Sequence, residues 1–224
     1  MSSPPPLPPP PGYTPYSNIV HGNVQPSKGL SKAMITLYWA TTGAAALLAL
    51  ALFLRKGTWD DLVDGNASLS DIDGADQLVV LATVLQVALV IASAVTTALW
   101  SRRIASNATA RGVHGISTGM AAGAWFIPIG WFWLGFRELR KSGEGVRADV
   151  SKVTRWQNLF VAQAAVGMLT RNLGDFDVND SASQVSSALQ NQWLFGVLGV
   201  AVYAGATVFA RRASNDLDLA VTGA

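Results

Sequence analysis

The stretch Gly112–Phe136 reads GVHGISTGMAAGAWFIPIGWFWLGF and holds no Asp, Glu, Lys or Arg. Positive charge closes it on both sides, with Arg102, Arg103 and Arg111 before it and Arg137, Arg140 and Lys141 after it. Lys and Arg collect at the cytoplasmic end of a spanning helix. A segment with basic residues at both ends therefore enters and leaves a bilayer by the same face. Pro128 removes a backbone donor and clashes with the preceding turn, and Gly123, Gly130 and Gly135 loosen the helix further. Trp125, Phe126, Trp131, Phe132, Trp133 and Phe136 match the aromatic preference of membrane interfaces. These features predict a Pro-broken, aromatic-rich re-entrant or interfacial segment over about 116–136. The alternative is a kinked spanning helix, since Pro is tolerated in membrane helices; the weaker run Trp156–Thr170 is then the one that fails to cross.

Working outward, the 224 residues are 50% hydrophobic and 13% charged, with a mean hydropathy of +0.30. Soluble domains carry roughly a quarter charged residues. The apolar residues come in charge-free blocks, at Ala33–Leu54, Gln77–Ser101, Gly112–Phe136, Trp156–Thr170 and Ser181–Ala210. A spanning helix needs about 20 such residues. The fold class predicted is an all-α membrane protein with four transmembrane helices plus the re-entrant segment. The run at 156 is the shortest and is interrupted by Gln157, Asn158 and Gln163; it spans only if Asn172 and Leu173 are drawn in and Arg171 snorkels.

Charge between the runs sets an orientation. Acids crowd the loops at 57–76 and 174–180, whereas Arg and Lys crowd the others and the Arg211–Arg212 end. Both termini are therefore expected in the cytoplasm, in a multi-pass protein of the cytoplasmic membrane. Residues 1–30 form a Pro-rich extended tail, 31–212 the helical membrane domain and 213–224 a short C-terminal tail. No cleavable signal peptide is evident, so the first run is expected to stay as a helix. The tail favours polyproline II and is read as a solvated leader, with docking into an aromatic groove of a partner as the alternative. The net charge of +2 sits beside apolar runs, which reads as topology and contact with membrane lipids, and not as nucleic-acid binding.

Inside the second run Thr83, Gln86, Val90, Ser93, Thr97 and Trp100 share one helical face, and Trp156, Phe160, Gln163, Gly167 and Thr170 do so in the fourth. Polar side chains in lipid seek partners on neighbouring helices, so Gln86 and Gln163 are predicted to face the bundle interior. The pairs Ala45/Ala49 and Ala201/Gly205 have the spacing that lets helices approach closely. Without cysteine, disulfides and thiolate chemistry are excluded. No ionisable residue lies in the middle of a run, as ion-coupled transporters require. His21 and His114 make no metal pair, and no catalytic constellation or cofactor motif appears. The sequence Asp71-Ile-Asp73-Gly-Ala-Asp76 lacks the length and distal Glu of a calcium loop; Asp71 is expected to cap the second helix.

The stretch from Trp100 to Gly112, followed by Trp125-Phe126-Ile127-Pro128, resembles a bacterial membrane family common in actinobacteria, the domain of unknown function 4328. Trp100, Arg103, Asn107, Gly112 and Pro128 fall in register with it, over roughly residues 33–212. The family's Asn and second Pro fall at Trp131 and Gly135, where this chain departs. The resemblance implies a polytopic architecture and no activity. The function expected is a non-enzymatic accessory or assembly subunit of a larger membrane complex, for instance a respiratory-chain assembly, with other membrane-protein subunits as partners. The alternatives are a transporter or channel for a neutral solute using the Gln86/Gln163 seam, and a sensor reading lipid through Trp125–Arg140.

Overall fold

A computed structural model describes residues 23–127, 129–172 and 180–223. Most of the Pro-rich tail, Pro128, and Asp175 and Asp177 of the second acidic loop lie outside the described residues, as do the side chains of Ile129 and Trp131. The described chain is helical: α1 (Lys28–Val63), α2 (Leu69–Ala110), α3 (Thr118–Gly123), two 3-10 turns (Ala124–Phe126 and Ile129–Phe132), α4 (Leu134–Gly145), α5 (Ser151–Asn172) and α6 (Ala182–Thr222).

Three helices, α1, α2 and α6, are long and apolar enough to cross a membrane. Four were expected. The correction falls on α5, whose 22 residues have the length but carry Lys152, Arg155, Gln157, Asn158 and Gln163 where a spanning helix needs apolar side chains. α6 also runs ten residues beyond Arg212, to Thr222, and buries Leu217 and Val221. The stretch after Arg212 is thus largely helix.

The four long helices stand in the order α2–α1–α6–α5, each packed on the next. At one end of this row Ser27, which precedes α1, meets Asp218 of α6, and Lys152 of α5 pairs with Asp216. At the other end Asp60 of α1 accepts from Ser186 of α6, and Arg55 pairs with Asp76 of α2 at 2.6 Å. These are called the proximal and distal ends. Small residues set the spacing: a Cβ added at Gly196 would lie 3.4 Å from Ala49, and one at Gly205 would lie 3.4 Å from Leu159. α5 thus runs antiparallel along α6.

The cap on α2 differs slightly from expectation. Ser68 is the N-cap and its backbone N–H donates to the carboxylate of Asp71, three residues on, at 2.8 Å, a capping box. At the other end the chain turns on Gly112, whose φ is +85°. The N–H of Gly112 bonds to Thr109 and that of Val113 to Ala108, the glycine-dependent Schellman closure. This is the reason for glycine at the family-matching position.

Beyond Gly112 the third run folds as a compact insert at the proximal end. Its start and finish meet: the Ser117 N–H donates to Glu138 at 3.1 Å, and Val113 fills the space where a Cβ at Gly145 would stand. The run returns to the end from which it set out.

Candidate functional site

The rings that fasten the insert to the bundle centre on Trp156 of α5. Around it stand Phe136 (5.0 Å between centroids), Tyr38 (6.0 Å), Trp125 (6.2 Å) and Trp100 (6.3 Å). Offset and edge contacts of this kind add about 0.5–1.5 kcal/mol per pair beyond area burial. Trp125, expected at the lipid interface, is instead buried and donates its indole N–H to Ser101 at 3.1 Å. The reason is its partners: the rings of Phe136, Trp156 and Phe160 offer more than a headgroup layer does. Phe126 and Trp133 remain exposed.

The basic residues after the run are partly engaged. Arg137 and Lys141 both reach Oε1 of Glu138, at 3.1 and 3.4 Å, and Arg140 donates to Gln157, whose amide donates to the Phe132 carbonyl. Glu138 itself is 1% exposed. Burial pushes its carboxyl up, but the Ser117 N–H, Lys141 and Arg137 outweigh burial and hold it below the usual carboxylate range.

Above this aromatic floor α2 and α5 part. Their backbones do not pack on each other, and between them lies a cavity of about 480 Å³ lined by all four long helices. Ala45, Leu48 and Leu52 of α1, with Val79, Val166 and Phe195, supply apolar wall. The polar seam predicted from sequence is split by depth. Thr83, Gln86, Gln163 and Thr170 line the cavity. Ser93 and Thr97 lie below it and bond to Thr41 and Tyr38 of α1, at 3.2 and 2.9 Å.

Gln86 and Gln163 converge on the hydroxyl of Tyr203, to which the Gln86 amide donates at 3.3 Å. Towards the distal end the lining includes Gln192, whose Oε1 is buried without a hydrogen-bond partner among the described residues. Arg171 is the sole charged residue among the described residues that line the cavity. Among the described residues, no group of three His, Asp or Glu stands close enough to hold a metal.

Two further polar contacts close the proximal end. Asn107 pairs with the backbone of Gln25 in both directions, accepting at 3.0 Å and donating at 2.8 Å, as a second strand would. Trp100 donates to Asp218 at 3.1 Å. The family model described as a domain of unknown function (DUF4328) matches residues 63–216. The chain belongs to that family. The match begins where α1 ends, so α1 and the N-terminal tail lie outside it, contrary to the expected start near residue 33. No curated protein and no solved structure matches the chain. Of the family-matching residues, Trp100, Asn107 and Gly112 thus fasten the proximal end, Arg103 is half-buried on α2, and Pro128 lies outside the described residues.

Tyr203 and Asp218 were not singled out from sequence. Tyr203 is the one tyrosine in the last charge-free run, a signal open to reading. Asp218 sits beside Leu217 in a stretch whose acids suggest solvent.

Proposed function

We propose that the protein is a non-enzymatic integral protein of the cytoplasmic membrane, with both termini cytoplasmic, that works by holding a small amphipathic ligand between α2 and α5. The 116–136 segment on this reading stays at the cytoplasmic face as the floor of the site. The observation that carries the proposal is the meeting of Gln86, Gln163 and Tyr203 in a cavity whose volume falls in the range of about 300–1,000 Å³ common for ligand sites. Two amides and a hydroxyl carry more donors and acceptors than they satisfy on one another, the remainder is costly in an apolar setting, and a bound ligand provides its partners.

A through-channel is less well supported, because the rings around Trp156 stand between the cavity and the proximal end. The accessory-subunit role rested in part on small-residue faces, and of these Ala49, Gly196 and Gly205 are occupied by contacts within the chain; the aromatic, basic surface that also motivated it is left open. The test is native mass spectrometry of the full chain purified in mild detergent. A bound small molecule is expected, and Gly167→Phe, which places a ring in open cavity space, is expected to displace it. A wild-type chain that carries no ligand and instead elutes with a stoichiometric protein companion would return the accessory role to first place.

A further inference from the structure

We infer that the cavity between α2 and α5 takes the headgroup of an anionic glycerophospholipid, with a hydroxyl-bearing headgroup such as phosphatidylglycerol preferred over a zwitterionic choline. The inference rests on the ligand-holding reading above and adds the chemical class of the ligand. Three features of the cavity converge on it. Arg171 is a cation at the distal end of a lining that includes no carboxylate among the described residues. A guanidinium suits phosphate because its planar donors meet two oxygens at once.

Gln192 Oε1 is a buried acceptor without a donor among the described residues, and it lines the same cavity as Arg171. A headgroup hydroxyl donates to it; a trimethylated choline has no proton to give. Gln86, Gln163 and Tyr203 lie deeper in the same cavity, so ester and hydroxyl oxygens find donors there. The remaining wall is apolar, from Leu48, Leu52, Val79 and Phe195. Because α2 and α5 do not pack on each other along this stretch, acyl chains leave sideways between them into the bilayer without crossing a helix. A soluble phosphate ester would leave that apolar wall bare, which is why a lipid is the occupant chosen.

The experiment titrates the detergent-solubilised full chain with phosphatidylglycerol, phosphatidylcholine and glycerol phosphate, read by native mass spectrometry and by the shift in Tm. Phosphatidylglycerol is expected to bind about tenfold or more tighter than phosphatidylcholine, and Arg171→Gln to remove about tenfold of that preference. Gln192→Leu is expected to weaken phosphatidylglycerol and leave phosphatidylcholine unchanged. Equal binding of the two lipids, or a preference that survives Arg171→Gln, overturns the inference. Glycerol phosphate binding as tightly as the lipid also overturns it, in favour of a soluble phosphate ester. Gly167→Phe separates this failure from that of the underlying reading. If the variant displaces some other, neutral ligand, the cavity is a site and the lipid assignment alone is wrong. If phosphatidylglycerol binds wild type, Gly167→Phe and the milder Gly167→Met alike, and neither variant displaces any other molecule, the lipid sits elsewhere and both readings fail.

Discussion

Trp100 and Asp218, 118 residues apart, share a hydrogen bond of 3.1 Å from the indole N–H to Oδ1. The same oxygen accepts from the Ser27 hydroxyl at 2.6 Å. One carboxylate, 7% exposed, therefore joins the lead into α1, the proximal half of α2 and the last turns of α6. Its other oxygen is buried without a partner among the described residues. A carboxylate removed from water with half its acceptors unmet costs several kcal/mol before any attraction is counted, so its two donors bear directly on whether the proximal end closes.

This sets a graded expectation for substitutions. Asp218→Asn keeps the accepting oxygen and removes the charge, so its Tm in detergent is expected to stay close to wild type. Asp218→Ala strands both the Trp100 N–H and the Ser27 hydroxyl, at a cost of about 1–3 kcal/mol. Trp100→Phe loses one bond and part of the ring packing on Trp156, and is expected to fall between them. Equal losses for Asn and Ala would show that the charge, and not the accepting oxygen, matters.

Glu138 predicts a pH dependence of definite sign. Its carboxyl is held below the ordinary range in the folded chain, burial being outweighed by Ser117, Lys141 and Arg137. A group whose folded value is depressed contributes stability above its unfolded value, around pH 4, and loses it as pH falls through the folded value. Wild-type Tm is therefore expected to drop on acidification below about pH 5 more steeply than that of Glu138→Gln. The variant begins lower at neutral pH and its curve is flatter. Parallel curves would count against the assignment.

The insert predicts a contrast among its glycines. A Cβ at Gly135 would stand 2.7 Å from the Trp125 ring, and one at Gly143 would stand 2.8 Å from Val150 and 2.9 Å from Leu217. The Trp125 ring is held by its neighbours and cannot swing away, so Gly135→Ala is expected to cost about 1–3 kcal/mol, as overpacking does. Gly119 and Gly123 face open space, and alanine there is expected to be neutral or slightly stabilising through helix propensity. A side chain at 135 without effect would mean that the ring does not sit against α4. The contact also accounts for glycine, where the family pattern has proline.

How much of this was legible in the chain depends on what kind of signal each residue carries. The third run declares itself because charge at both ends is a one-dimensional pattern, and Ser117 meeting Glu138 agrees with it. The seam through Gln86 and Gln163 was legible because helical spacing alone puts those residues on one face. Their common partner was not, since pairing of Tyr203 with both depends on α6 lying between α1 and α5. Trp125 was misread because interfacial and buried tryptophans have the same sequence signature; only the rings brought to it from α4 and α5 distinguish them. α5 was overcounted as a spanning helix for a related reason. Its Gln157 finds partners in the insert and its Gln163 finds Tyr203 on α6, which interrupts the apolar pattern without breaking the helix.

The arrangement of the ends is open to a direct test, because the chain has no cysteine to remove. His114, Glu144 and Asn66 are exposed, so a single cysteine at each should label without disturbing the core. Positions 114 and 144 flank the insert at the proximal end, and 66 lies in the α1–α2 connection at the distal end. With both termini cytoplasmic, a membrane-impermeant maleimide added to intact cells is expected to label Asn66→Cys alone. His114→Cys and Glu144→Cys are expected to react together, and only after the membrane is opened. Labelling at 144 with protection at 114 would mean that the third run crosses the bilayer. The contact between Val113 and the backbone at Gly145 could not then form, and the floor of the cavity would have to be built from other residues.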